Sequence, residues 1–190
     1  MLARVTSHPD KTMTKTLLAA AALLAFSLPA GAAAVRADME VDPTAYVLGG
    51  YSVHAGIVHE RLRVDIGAFA MNVPQFLHGN SNFRESFDGY GLKLQYFPFA
   101  DQAGAFAGVD VGLVRVRLRR VGTDLASQSD QFGVGVHAGY RFELGRSFYA
   151  TPWLGVGYQF NAGATTLGGQ TFTADRWSIF PAVHIGYRFD

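Results

Sequence analysis

After residue 35, apolar and polar residues alternate with period two along most of the chain. Successive side chains of a strand point to opposite faces, so each such segment has one apolar and one polar face. The last segment is the clearest. Trp177, Ile179, Pro181, Val183, Ile185, Tyr187 and Phe189 fall on one face; Ser178, Phe180, Ala182, His184, Gly186 and Arg188 fall on the other. The division recurs around Leu62–Ala70, Tyr90–Tyr96, Val109–Val111, Phe132–Phe142, Phe148–Phe160 and Val47–Ile57, making seven segments. Single-chain bacterial barrels have an even strand count. An eighth strand is therefore expected around Arg36 to Asp42, before Pro43.

The polar faces are dominated by glycine with scattered Arg, Asp, His and Gln. That composition makes a poor solvated surface but suits the filling of a narrow lumen. The apolar rows carry aromatics near their ends (Phe132, Phe142, Phe148, Phe160, Trp177, Phe189), where the girdles of a membrane barrel sit. Short links (Glu60, Phe99–Ala103, Glu143–Ser147) alternate with long ones (Asn72–Glu85, Arg119–Ser129, Asn161–Asp175), as periplasmic turns alternate with external loops. The pair Gly168-Gly169 marks a hairpin tip within the last loop. The expected fold is all-β: an up-and-down antiparallel transmembrane β-barrel of eight strands.

One strand departs from the pattern. After Leu113 the chain reads Val114-Arg115-Val116-Arg117-Leu118-Arg119-Arg120, putting arginines on the formerly apolar face. Either a bulge flips the register or the strand has left the bilayer by Arg115. The second is preferred, because Arg at the midplane costs roughly 2–4 kcal/mol and near the interface almost nothing.

The beginning of the chain reads as a signal peptide over residues 1–34. Lys11 and Lys15 precede an apolar stretch from Leu17 to Leu28, then Pro29 and Gly31-Ala32-Ala33-Ala34. The continuous apolar core is about a dozen residues, short of the roughly 20 a membrane helix needs. The start lies at Met1 or Met13. Without Arg4, Lys11, Lys15 and Asp10, the 16 basic and 15 acidic residues become 13 and 14, a formal charge of −1. Such a balance gives no support for nucleic-acid binding. There is no cysteine, so disulfides and thiolate chemistry are excluded.

With these residues in place, the chain over 36–190 resembles the small bacterial outer-membrane β-barrel proteins: the OmpA-type barrel domain, OmpX and OmpW. The motif is the final strand, His184-Ile185-Gly186-Tyr187-Arg188-Phe189, with Asp190 after the aromatic that usually ends such chains. It is similar to the assembly signal such proteins present to the barrel-assembly machinery, with Gly186, Tyr187 and Phe189 carrying it. The resemblance implies export to the bacterial outer membrane, with lipid and lipopolysaccharide as surroundings and no cofactor.

Candidate chemistry is sparse. Ser52, His54, Arg61, Arg63, Asp65, Lys93, Asp110, His137, Arg141, His184 and Arg188 are read as a lumen polar network, since buried polar groups in a narrow barrel must be paired. Ser52 and His54, or Ser178 and His184, with Asp65 or Asp110, leave open a lipid A hydrolase. A narrow channel is a third alternative. Three histidines on three strands do not make a metal motif. Arg115, Arg117, Arg119 and Arg120 form a basic cluster at an external loop, where lipopolysaccharide phosphates are one partner and plain solvation the other reading. The favoured function is a non-enzymatic structural or surface-interaction role.

Overall fold

In a computed structural model of the protein, residues 35–99 and 101–189 are described. The expected signal peptide, residues 1–34, lies outside them. Eight strands close a barrel: β1 (Arg36–Val41), β2 (Tyr51–His59), β3 (Leu62–Val73), β4 (Phe83–Tyr96), β5 (Gly104–Arg120), β6 (Ala126–Glu143), β7 (Phe148–Gln159) and β10 (Trp177–Phe189). Every neighbouring pair is antiparallel and β1 closes against β10, so the eighth strand is N-terminal. Helix α1 (Pro43–Val47) joins β1 to β2, and helix α2 (Gln75–His78) lies between β3 and β4. Strands β8 (Ala164–Leu167) and β9 (Gln170–Thr173) pair into a separate hairpin whose tip is Gly168 and Gly169, both left-handed.

The barrel has its polarity inside out. On β2, Ser52, His54, Gly56 and Val58 are buried, while Tyr51, Val53, Ala55 and Ile57 are exposed. On β3, Arg63 and Asp65 are fully buried, and Val64 and Ile66 lie outside at over 40% exposure. A chain obeying the hydrophobic effect in water alone would reverse this arrangement.

Aromatic rings mark both borders of the exposed apolar band. At one border Phe148 meets Tyr187 at 5.1 Å, Tyr187 meets Phe189 at 5.2 Å, and Tyr140 meets Phe142 at 4.5 Å. At the other, Phe132 meets Phe160 at 5.6 Å, and Tyr158 packs on Phe160 and Trp177. Phe132 and Phe142 lie ten residues apart on β6. That is about 33 Å along a strand and roughly 25 Å along a barrel axis tilted by about 40°, the height of a membrane barrel's apolar band.

Beyond the Phe132 border the polarity flips. β5 keeps an unbroken register with β4 and β6 through Arg120, so no bulge occurs at Arg115. The alternation simply changes meaning. Val116 and Leu118 now point inward and are buried, while Arg117 and Arg119 point outward and are exposed. Val116 and Leu118 form a small core with Phe83 of β4 and Phe172 of β9. The strands thus project past the band as an ordinary water-facing sheet, and the β8–β9 hairpin lays Phe172 into its interior. This corrects the expected long loop Arg119–Ser129. Only 121–125 connects β5 to β6, because the outer pattern that signalled the strands' end was the end of the apolar band.

The wall is regular except near its prolines. β1 pairs only with Val41↔Ile185 through Ala37↔Phe189 of β10, so Trp177–His184 have no strand on that side. Arg188 N–H bonds the Ser147 carbonyl on the β7 side, so even-numbered residues of β10 face β7 and odd-numbered ones face β1. Pro181 therefore places its missing N–H on the unpaired side, where proline costs a sheet least. Helix α1 contacts β10 and β2 here, capped by Asp42, whose side chain accepts from Thr44 N–H at 2.9 Å.

Candidate functional site

Alternation sends one polar row from every strand into the bore, and the registers set which rows meet. Arg63 is central and fully buried. Its Nε donates to Asp38 Oδ2 at 2.9 Å and its Nη2 to Asp38 Oδ1 at 2.6 Å, a forked pair. The same Nη2 lies 3.0 Å from Asp65 Oδ2 and 3.4 Å from Glu40 Oε2, while Nη1 donates to Gln95 Oε1 at 2.9 Å. One guanidinium thus holds three carboxylates from β1 and β3.

The outer members of the network radiate from this centre. Glu40 accepts from Arg141 Nη2 at 3.1 Å and from His184 Nδ1 at 3.0 Å. Asp65 accepts from His54 Nδ1 at 2.9 Å, with Lys93 Nζ at 3.8 Å. Gln95 Nε2 donates to His137 Nε2 at 3.2 Å, and His137 Nδ1 donates to Asp110 Oδ2 at 2.9 Å. Aromatic rings seal the spaces between. Arg141 lies over Phe97 at 4.6 Å and Tyr149 at 4.1 Å; Lys93 lies over Trp153 at 4.9 Å; Phe97 stacks on Phe106 at 5.0 Å. Four carboxylates (Asp38, Glu40, Asp65, Asp110) face three permanent cations (Arg63, Lys93, Arg141), with three histidines between.

Of the residues expected to form this network, His54, Arg63, Asp65, Lys93, Asp110, His137, Arg141 and His184 are joined in it. Ser52 is buried beside them but shares no hydrogen bond with His54. Two expectations are corrected. Arg61 is exposed in the turn between β2 and β3, because Glu60 takes the left-handed conformation that ends the β2 alternation. Arg188 sits at the mouth, donating to Glu143 at 2.9 Å, because no strand extends beyond it. Sequence reading missed Asp38 and Glu40, although their period-two spacing in Ala37-Asp38-Met39-Glu40-Val41 carries the signal. It also missed Gln102, which sits in a link and accepts from Arg141 at 3.4 Å.

The catalytic alternative gains only half of its geometry. His54 and Asp65, 2.9 Å apart, have the spacing of a base and the acid that orients it. Among the described residues no hydroxyl bonds the His54 ring, whose neighbour is His184 at 4.8 Å between centroids. Ser178 lies six residues above His184 on the same strand, beside Gly157, and does not join it. Among the described residues no group of three or more His, Asp or Glu could hold a metal ion.

The outer basic cluster resolves into paired and unpaired members. Arg115 bonds Asp130 at 2.9 Å, Arg117 bonds Asp88, and Arg120 bonds the Gly168 carbonyl. Arg119 remains, opposite Arg84 of β4. At the other end, Gly186, Tyr187 and Phe189 lie in the closing strand. Tyr187 and Phe189 point outward, and Gly186 is buried where any Cβ would strike the Tyr149 ring.

No family model and no curated protein matches this chain. Solved structures do match in fold. Neisserial surface protein A is 16% identical with a TM-score of 0.51, over 81% of this chain and 94% of that one. A major outer membrane protein from Thermus thermophilus is 15% identical with a TM-score of 0.54, over 83% of this chain and 100% of that one. The chain has the fold of small outer-membrane β-barrel proteins.

Proposed function

We propose that this protein is a non-enzymatic β-barrel of the bacterial outer membrane, locked by the network in its bore and engaging its surroundings through its water-facing end. The observation that carries the reading is the band of exposed apolar residues between two aromatic borders, with charges buried behind it and the polarity reversed beyond it. That pattern is stable only where lipid, not water, surrounds the wall. A network that joins side chains across the bore, flanked by Phe97 on one side and the Phe83–Phe172 core on the other, favours a structural lumen over a conducting one. The outer membrane also supplies the partners this reading expects: lipid, lipopolysaccharide, and the assembly machinery during insertion.

The test compares the two faces. Val136, 59% exposed at the middle of β6, should cost roughly 2–4 kcal/mol of refolding stability when changed to Arg. Gly91→Ala, on the inner face, meets only ordinary contacts from 3.4 Å outward and should cost far less. Equal effects in a detergent-refolding titration would refute the membrane reading. The His54–Asp65 pair keeps a hydrolase reading in view. Mass spectrometry of host lipid A, with wild type against a Ser52→Ala and His54→Ala variant, decides it; acyl trimming by wild type alone would replace the structural reading.

A further inference from the structure

Arg84 and Arg119 are direct cross-strand partners on the outer wall, both exposed, six residues past the Leu113–Phe132 pair that marks the border of the apolar band. Like charges opposite each other on one sheet face are destabilising. The same wall neutralises its other arginines, pairing Arg115 with Asp130 and Arg117 with Asp88. Among the described residues, Arg84 and Arg119 have no acidic partner. Together with Arg120 they line one hollow of about 270 Å³, whose remaining wall is Val121, Gly122 and Thr123.

The hollow is held in shape by its own turn. Arg120 N–H bonds Leu125 O at 3.0 Å, Val121 N–H bonds Asn82 O at 2.9 Å, and Thr123 N–H bonds Arg120 O at 3.4 Å. Gly122 takes a φ of +74 and leaves open space where a side chain would stand. Asp124, the acid of this turn, does not line the hollow. Two arginines without an acidic partner among the described residues thus line a concavity with room for a small anion.

We propose that this hollow binds a phosphate group, free or on a lipid headgroup, through Arg84 and Arg119 with Arg120 beside them. Guanidinium forks match phosphate oxygens two at a time, and a phosphomonoester brings close to two negative charges against the two unpaired cations. A carboxylate brings one charge and two oxygens, leaving the repulsion half relieved. Arg84 and Arg119 are exposed on the outer wall and not in the bore, so a phosphate from solution, or one carried on a headgroup that extends past the band, reaches them. The headgroup source rests on the outer-membrane reading; the phosphate chemistry does not.

The experiment is native mass spectrometry of the purified protein in zwitterionic detergent, offered pyrophosphate, phosphatidic acid or phosphatidylcholine. Wild type should retain phosphatidic acid over phosphatidylcholine and release it to pyrophosphate. Arg84→Ala with Arg119→Ala should weaken retention at least about tenfold, the loss of charge-assisted bonds, while Arg146→Ala in a distant turn should not. Retention of phosphatidic acid as well as pyrophosphate supports the site with headgroups as its source, and retention of pyrophosphate alone supports it with soluble phosphate. No retention by wild type, or equal retention by the double variant and wild type, overturns the proposal. Heat-modifiable migration of the same samples reports the barrel separately, so loss of the site and failure of the membrane reading are distinguishable.

Discussion

Arg63 illustrates how much one side chain carries in a lumen of this width. Three carboxylates on two strands converge on its guanidinium at 3.4 Å or less. Removing one partner of a buried ionic cluster typically costs about 3–5 kcal/mol, because the remaining charges stay desolvated. Arg63→Ala should therefore lower the urea midpoint more than any other single change in the bore, while Arg61→Ala, two residues away and exposed, should leave it unchanged. Equal midpoints for the two variants would mean that the network does not hold the barrel. Glu85 makes a second case, on the inner face of β4 three residues before Asp88 in the chain and beyond the apolar band. Burial raises its pKa above the ordinary carboxylate value of 4.5. An acid raised in the folded state contributes most below its unfolded pKa, and that contribution is lost as pH rises through the folded value. Thermal melts should show this end of the protein more stable at acid pH, and Glu85→Gln should flatten the dependence and stabilise it at neutral pH. A variant whose melting retains the wild-type pH slope would exclude Glu85 as its source.

At the scale of elements, two features depart from a plain eight-strand wall. The β8–β9 hairpin is anchored chiefly by Phe172, which meets Phe83 at 5.6 Å and His78 at 5.6 Å. Phe172→Ala should remove roughly 3–5 kcal/mol of local packing and open residues 161–176 to protease, with assembly of the barrel unaffected. Protease resistance equal to wild type would show that the hairpin is held by other contacts. The second feature is the seam above β1. Because odd-numbered residues of β10 face the short strand, Ile179 and Val183 have their N–H groups on the unpaired side, while Phe180 and Ala182 bond β7. Amide exchange along Ile179–Val183 should alternate, fast at odd and slow at even positions. Uniform protection would mean that α1 seals the seam as well as a strand does. The sequence marked Pro43 and Pro181 as residues, but which ladder Pro181 interrupts follows from parity set by pairing.

For the whole molecule, closure is the property on which everything else depends. β10 pairs with β7 over Trp177–Tyr187 and with β1 over Ile185–Phe189, so it joins β1 to β7 and closes the barrel. Deleting Tyr187 through Asp190 removes most of the β1 contact and leaves open edges whose backbone groups cost several kcal/mol each in lipid. The truncated protein should accumulate in the periplasm, and heat-modifiable migration from the outer-membrane fraction would contradict the closed-barrel argument. Strand number, antiparallel order, the inward row and the aromatic borders were legible in the sequence, because period-two alternation is a local consequence of the backbone and needs no partner to be read. The inner row named His54, Asp65, His137 and His184 for the same reason. Which of these touch was not legible. It depends on registers between strands as much as 144 residues apart, such as the one that brings Glu40 to His184. The reversal beyond Phe132 was visible only as arginines on the wrong face. That those strands continue with their interior turned apolar, and that Arg84 is left facing Arg119, was decided by pairing and packing, which no single strand's pattern contains.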